Sequence, residues 1–244
     1  MNKQASWHLF FYVALLCTHC NLSLADPHAT VTLTTDNINR WFTKTNHNVA
    51  LQANVDYQYE RGFFLGSSVS NIDYGHKKYD KSAHVEIIPY LGWNVNLSKQ
   101  WRANTQISRY IFDGKMYGHN ADYNEYYLFL HYKDLFTGRV SYADDYYHLS
   151  KDALDYELTG KYPLSNQFEF STSFGYSQTK AALNADYLYW NAGITYFYNI
   201  FAIDLRYMDA TENNTKENLV EKMRKKFDLP LLNTNIVLSI SVGF

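Results

Sequence analysis

Apolar and polar side chains alternate with a period of two residues along most of the chain. In the segment LQANVDYQYE, Leu51, Ala53 and Val55 fall on one face, whereas Gln52 and Asn54 fall on the other. The segments HVEIIPYLGWNV, FEFSTSFGYS and FAIDLRYM repeat this pattern. Because successive side chains of a β-strand point to opposite faces, the pattern predicts strands with one apolar and one polar face.

About twelve segments of this kind are predicted, each ~8–13 residues long, which is the length that a tilted membrane strand needs. Tight turns such as ERG and LSKQ alternate with longer polar loops such as NINRWFTKTNHN. This alternation is typical of an all-β, closed antiparallel up-and-down transmembrane β-barrel, with short periplasmic turns and long outside loops. The predicted spans are 28–37, 48–60, 62–73, 82–96, 100–112, 122–133, 135–145, 152–163, 167–178, 186–198, 200–210 and 233–244.

The last ten residues, NIVLSISVGF, keep the alternation up to the final side chain, Phe244. In a closed barrel the last strand must pair with the first, because every backbone N–H and C=O inside a membrane needs a partner. The segment also resembles the C-terminal signal that the bacterial outer-membrane insertion machinery reads. We therefore predict two partners, the lipid bilayer of the outer membrane and, through Phe244, this insertion machinery.

Composition helps to separate a membrane barrel from a soluble β-barrel or sandwich, which alternation alone would also fit. Aromatic residues make up 18% of the chain, with 23 Tyr and 15 Phe, and Tyr and Trp favour a membrane–water boundary. The mean hydropathy of −0.40 excludes a bundle of membrane helices. The formal net charge of −2 offers no basic face to a nucleic acid. These features favour the outer membrane of a Gram-negative bacterium as the location.

The N-terminus has the features of an export signal. Lys3 precedes an apolar run at 9–17, and small residues at Ser23 and Ala25 form a plausible cleavage site. The run is too short to cross a bilayer, so residues 1–25 are predicted to be a signal peptide and residues 26–244 the barrel. The exported part would contain no cysteine, because both cysteines lie in the signal segment: Cys17 and Cys20.

Several segments are similar to one protein family. The strings LTTDNINR, VDYQYERGFFLGSSVSNIDYG, EIIPYLGW and DYNEYYLFLHY resemble the TorF-type (Gcw_chp) family of proteobacterial exported proteins, over nearly the whole exported chain. The resemblance implies an outer-membrane barrel without an established biochemical activity, so no catalytic residue is carried over. The string RWFTKT departs from the family pattern and makes the first outside loop specific to this chain. The most specific residues of the match are Gly62, Phe63, Phe64, Gly66, Ser70, Asn71 and Asp73.

Charged residues on the polar faces of the strands are the first candidates for function. Rows of arginine and carboxylate on opposing walls could orient solutes in an open pore, or could pair and close the lumen. Acidic residues outnumber basic ones in the wider inward set, which predicts a mild preference for cations. The acidic members are Asp56, Glu86, Glu125, Asp155, Glu157, Glu169 and Asp204, and the basic members are Arg102, Arg139, Lys161 and Arg206. Tyr127 and Phe129 also face inward, where aromatic rings either fill space or stack on sugar rings. The predicted lumen-lining residues are Glu86, Arg102, Glu125, Arg139, Asp204 and Arg206.

The favoured function is passive or selective diffusion of small polar solutes through a monomeric barrel, and no enzymatic activity is predicted. One alternative is a structural or interaction barrel whose outside loops bind a ligand or lipid, with a predicted amphipathic helix within 212–229. A second alternative is an outer-membrane lipid hydrolase that uses His148 and Ser150, because a histidine near a serine can activate its hydroxyl. The scattered histidines lack the spacing of a zinc site, and no phosphate-binding loop is present, so neither a metal nor a cofactor is predicted.

Overall fold

Twelve antiparallel strands close into one barrel, in which the last strand pairs with the first. The computed structural model describes residues 27–40, 42–59, 61–73, 82–116, 118–183, 185–212 and 235–244. The barrel strands are β1 Pro27–Thr34, β4 Ala50–Gln58, β5 Phe63–Asn71, β6 Val85–Asn96, β7 Trp101–Phe112, β8 Tyr123–Tyr132, β9 Phe136–Ala143, β10 Ala153–Pro163, β11 Phe168–Gln178, β12 Asp186–Tyr198, β13 Phe201–Glu212 and β14 Asn235–Gly243. Two further strands, β2 Ile38–Asn39 and β3 Phe42–Thr43, form a separate small hairpin.

The predicted fold class is confirmed, and the predicted segments match the barrel strands one for one. The predicted boundaries differ from the observed ones by at most three residues, for example 28–37 against Pro27–Thr34. Pairing between β1 and β14 runs from Thr30 opposite Gly243 to Thr34 opposite Ser239. The backbone N–H of Phe244 donates to the carbonyl of Ala29 over 2.8 Å. The final residue therefore belongs to the seam that closes the barrel.

The outer surface of the barrel is apolar. Leu128, Leu158 and Leu205 lie near the middles of β8, β10 and β13, and their exposed fractions are 51%, 56% and 55%. Their sequence neighbours point to the inside, as the period of two requires; those of Leu158 and Leu205 are polar, and those of Leu128 are aromatic. Such a band of exposed leucine around a closed sheet is typical of a barrel whose outer wall faces hydrocarbon.

The two ends of the barrel differ. At one end adjacent strands are joined by short turns, where Trp101 packs on Tyr132 with ring centroids 4.8 Å apart. At the other end longer loops carry a 3₁₀ turn at Tyr146–His148 and a short helix, α1, at Lys180–Leu183. In the described ranges no helix is long and apolar enough to cross a membrane. The predicted signal peptide and the predicted loop helix fall outside these ranges, apart from residue 212.

Candidate functional site

The first loop lies in the lumen at the loop end of the barrel, where the structure describes its residues 35–40 and 42–49. This segment, which we call loop 1, contains the small hairpin of β2 and β3. The Arg40 side chain is 3% exposed, and the Lys44 side chain is 6% exposed. Long charged side chains are almost never so deeply buried unless they are paired. Loop 1 is therefore buried in the lumen around these two side chains, whereas its end at residues 47–49 is exposed.

Arg40 joins loop 1 to three neighbouring strands. Its guanidinium donates to a carboxylate oxygen of Glu125 on β8 and to the Ser141 hydroxyl on β9, the latter over 2.8 Å. Its Nη1 lies 2.9 Å from Asp155 Oδ2 on β10. Burial alone would lower the pKa of Arg40, but the Glu125 and Asp155 carboxylates outweigh burial and raise it. Arg40 is therefore a buried cation that bridges two buried anions.

Lys44 fixes the other end of the hairpin. Its ammonium group donates to both carboxylate oxygens of Glu86 on β6, at 2.9 and 2.7 Å. Asp36 holds the loop together, because its Oδ1 accepts hydrogen bonds from the hydroxyls of Thr43 and Thr45. Asn37 donates to the Ser70 hydroxyl on β5 over 3.4 Å. Loop 1 is thus attached to the wall by polar contacts from β5 to β10.

Tyrosine rings fill the space between loop 1 and the β7–β12 wall. Tyr110 and Tyr123 stack with centroids 4.5 Å apart, and Tyr123 meets Tyr146 edge to face at 5.2 Å. Phe42 of loop 1 meets Tyr187 edge to face at 5.6 Å. All five of these side chains are buried. This half of the lumen is a packed core at the loop end, so it offers no passage there.

The other half of the lumen keeps an open space. A cavity of about 280 Å³ lies between loop 1 and the β1, β4, β5 and β6 wall. Its charged lining residues are Lys44 and Glu86, which pair with each other. Hydroxyl and amide side chains supply most of the remaining lining. These are Thr30, Thr32, Asn37, Asn39, Gln52, Asn54, Ser68 and Ser70.

Towards the short-turn end, the charged side chains lie flat against the wall. Arg139 on β9 donates to Glu157 on β10 over 3.0 Å and to the Tyr189 hydroxyl over 3.2 Å. Arg206 on β13 donates to both carboxylate oxygens of Asp204 and, over 2.8 Å, to the Ser171 hydroxyl on β11. Each group of contacts involves strands that are close neighbours in the sheet. The charges therefore pair along the wall, and none of these contacts crosses the lumen.

Two inward tyrosines lie flat because each covers a glycine. Tyr189 of β12 is the direct partner of Gly175 on β11, and its hydroxyl donates to Glu157 on the strand beyond, over 2.9 Å. A Cβ atom on Gly175 would lie only 2.0 Å from the Tyr189 ring. Tyr90 covers Gly66 of β5 in the same way and bonds to Asn54 on β4. The missing side chain at each glycine thus allows the ring of its partner to lie along the wall.

Replacing Gly175 with alanine is expected to lower the free energy of unfolding by ~1–3 kcal/mol, the usual cost of overpacking. The new methyl group would push Tyr189 off the wall and break its hydrogen bonds to Glu157 and Arg139. Gly138→Ala is the matched control, because a Cβ atom there meets nothing within 4 Å. Urea unfolding in detergent micelles measures both variants. Equal stability of the two would contradict the close packing at Gly175.

The six predicted lumen residues lie at different positions along the barrel axis and form ion pairs with different partners. Asp204 and Arg206 pair with each other at 2.9 Å, whereas Glu86, Glu125 and Arg139 pair with residues outside the predicted set. The sixth, Arg102, lies at the short-turn rim, where its side chain is 40% exposed and contacts Asp134. Whether these residues line the route of a solute stays a prediction.

Arg40 and Lys44 are the functional candidates that the sequence patterns did not reveal. They lie in a polar loop without periodicity, where a cation is normally solvated. Arg40 is the first residue of the string RWFTKT, which departs from the pattern of the family that the sequence resembles. The signal that could have indicated Arg40 and Lys44 is the presence of cations in this loop together with an excess of carboxylates on the inward faces of the strands.

His148 and Ser150, the predicted hydrolase pair, do not contact each other in the way that a catalytic base and its nucleophile would. The His148 ring nitrogen Nδ1 lies 2.7 Å from Asp145 Oδ2, and Ser150 contacts the same carboxylate through its backbone N–H, over 2.6 Å. Within the ranges described, no hydrogen bond joins His148 to the Ser150 hydroxyl. Asp145 therefore orders an exposed turn and does not align a nucleophile with its base. In the same ranges, no group of three or more His, Cys, Asp or Glu is placed to hold a metal ion.

Comparisons with known proteins agree with this architecture. A sequence model described as "Bacterial protein of unknown function (Gcw_chp)" matches residues 23–241. None of the curated proteins matches the chain. The solved structure of the KdgM porin is similar with a TM-score of 0.55 and 9% identity, over 89% of this chain and 99% of that chain.

Two further structures are similar. The NanC porin has a TM-score of 0.53 and 10% identity, over 88% of this chain and 98% of its own. An outer membrane channel from Pseudomonas putida F1 has a TM-score of 0.52 and 9% identity, over 93% and 98%. At such identities the likeness shows a shared fold alone: these neighbours are outer-membrane barrels, and the present chain has the same architecture.

Proposed function

The chain belongs to the Gcw_chp family of bacterial proteins of unknown function, and from its geometry we propose that it is an outer-membrane channel. Small polar solutes would cross it by passive or selective diffusion. The apolar outer band, the closed sheet and the fold shared with porins all support this proposal. The observation that carries it is the polar cavity beside loop 1, at a height where the other half of the lumen is packed with tyrosine.

The proposed route of the solute does not follow the barrel axis but runs to one side of it. At the loop end a solute would pass between loop 1 and the β1, β4 and β5 wall, where hydroxyl and amide groups can replace its hydrogen bonds to water. Further down it would pass the ion pairs of Arg139 and Arg206, which lie along the opposite wall. Loop 1 would set the narrowest cross-section. The route thus uses the predicted residues Glu86, Arg139, Asp204 and Arg206 as part of its lining.

Ion selectivity is expected to be weak. The predicted preference for cations came from the inner wall alone, but loop 1 adds Arg40 and Lys44 to the lumen. These two cations pair with Glu125, Asp155 and Glu86. They offset most of the acidic excess of the inner wall, and a pore with a small net charge has little field with which to favour one sign of ion. We therefore replace the cation preference with an expectation of near equality.

Single-channel recording in a planar lipid bilayer tests the proposal. Purified protein should produce discrete conductance steps, and a salt gradient should give a reversal potential close to zero. A variant in which residues 37–47 are replaced by a short Gly-Ser linker should conduct more than the wild type, because the linker removes the narrowing. Properly inserted protein that shows no steps, with or without loop 1, would reject the channel and favour a structural or interaction barrel.

Two further expectations belong to the same proposal. The chain should be found in the outer-membrane fraction of the cell, where the bilayer covers its apolar wall. Phe244 should be read by the insertion machinery, because it ends the strand that closes the barrel. Deleting Phe244 should slow assembly in cells, as measured by the fraction of protein that resists extraction by urea.

A further inference from the structure

Three side chains of β8 form a continuous track in the half of the lumen nearest the short turns. Tyr127, Phe129 and His131 point inward, and the exposed Leu128 and Leu130 between them point outward. The Tyr127 and Phe129 rings have centroids 5.8 Å apart and planes that differ by 11°. For Phe129 and His131 the values are 6.1 Å and 8°. We call these three residues the ring ladder.

The ring ladder is held at both ends. The Tyr127 hydroxyl donates to Glu125 Oε2 over 2.7 Å and lies 2.6 Å from the Tyr110 hydroxyl. The His131 ring nitrogen Nδ1 lies 2.9 Å from the Thr137 hydroxyl. All three rings nevertheless remain partly exposed. Since β8 faces outward with leucine, the exposed parts of these rings face the lumen, and their orientation is fixed before any solute arrives.

Hydrogen-bonding groups line both edges of the ring ladder. Asn104 on β7 and Arg139 on β9 are the direct partners of Phe129. Arg102 and Thr137 stand in the same way on the two sides of His131. A central row of nearly parallel aromatic rings between two rows of donors and acceptors matches a ligand with a flat apolar face and a polar edge all round.

Charge compensation narrows the class of ligand. Arg139 is paired with Glu157 at 3.0 Å, and Arg102 is paired with Asp134 at 2.8 Å. Strand β14 lies opposite β8, because it is six strands away from β8 in either direction around the closed sheet. Its Ser241 hydroxyl is 2.8 Å from that of Thr32 on β1. The ring ladder thus faces hydroxyl groups across the lumen, and the two arginines beside it are each paired with a carboxylate.

From this arrangement we infer that the ring ladder binds neutral sugar rings, an inference that rests on the proposed channel function. The C–H groups on one face of a pyranose carry small positive partial charges, which the negative face of an aromatic ring attracts. The hydroxyl groups at its edge would meet Asn104, Arg139, Arg102 and Thr137. Rings spaced evenly along the strand let a chain of sugar units move from one face to the next without leaving the wall.

The test is block of ion current by a neutral trisaccharide. Maltotriose is added to both sides of a planar bilayer that contains the wild-type protein, and the concentration that halves the conductance is measured. Phe129→Ala should raise this concentration by about tenfold, because one aromatic contact is lost. Phe129→Trp should keep the wild-type value. Phe170→Ala, at an outward position, is the matched control and should also keep it.

The outcomes separate this inference from the channel itself. If the wild-type channel conducts ions but is not blocked by maltotriose, the inference that the ring ladder binds sugar is rejected, and the proposed channel function is unaffected. Equal block of the wild type and Phe129→Ala does the same, and so does stronger block by an acidic galacturonate trisaccharide than by maltotriose. If no current flows at all, calorimetric titration with maltotriose in micelles decides: binding that weakens in Phe129→Ala supports the site, and absence of binding rejects it.

Discussion

Replacing Arg40 with methionine is expected to lower the free energy of unfolding by ~3–5 kcal/mol, the usual cost of breaking a buried ion pair from one side. Methionine keeps much of the side-chain volume but leaves Glu125 and Asp155 buried without their cation. The same change should release loop 1 from β8–β10 and raise the single-channel conductance. Urea unfolding in lipid vesicles measures the first effect, and bilayer recording measures the second.

A triple variant is the control for the Arg40 prediction. Arg40→Met combined with Glu125→Gln and Asp155→Asn removes the two anions together with the cation, and it should recover most of the lost stability, because no uncompensated charge remains. Its conductance should stay high, since the contact that holds loop 1 is still absent. A single variant as stable as the wild type, or a triple variant no better than the single one, would contradict the buried network.

Placing arginine at the middle of the outer wall should have the second large effect. Leu158 is 56% exposed at the midpoint of β10 and points away from the lumen. Leu158→Arg is expected to cost ~2–4 kcal/mol, the price of a cation at the bilayer midplane. Unfolding in lipid vesicles measures this cost.

Tyr162→Arg is the matched comparison for Leu158→Arg. Tyr162 lies on the same strand and the same face, 65% exposed, but at the short-turn end. A cation near the membrane surface costs only ~0–1 kcal/mol. A barrel in water would tolerate both changes equally, because both side chains are exposed. Equal stability of the two variants in vesicles would therefore argue against a bilayer around this wall.

Strand positions could be predicted because each strand's surroundings repeat every two residues. Leu128 and Glu125 of β8 are found on the faces that simple alternation assigns to them, one outward and one inward. No knowledge of the neighbouring strands was needed for this. The covering of Gly175 by Tyr189 needs one further step, the pairing register, since the two residues are direct partners on adjacent strands. A glycine opposite an inward aromatic residue is a readable signal once that register is known.

The fold of loop 1 could not be predicted in this way. Arg40 meets Glu125 across 85 positions of the sequence and Ser141 across 101. No periodic pattern connects such residues, and each contact depends on where the closed wall brings its strands. This matters for the predicted ion selectivity, because the charged residues of the barrel strands alone, without those of loop 1, predict a preference for cations. The two cations that offset most of this charge, Arg40 and Lys44, come from a segment that sequence patterns assign to solvent.

The seam between β1 and β14 also bears on how the barrel is assembled. The hydroxyls of Thr32 and Ser241 meet across 209 positions of the sequence, so the ring cannot be completed until nearly the whole chain has been synthesised. Contacts of such long range make folding slow and leave strand edges open in the meantime. We therefore expect newly exported chains to depend on chaperones that keep them unaggregated between translocation and insertion.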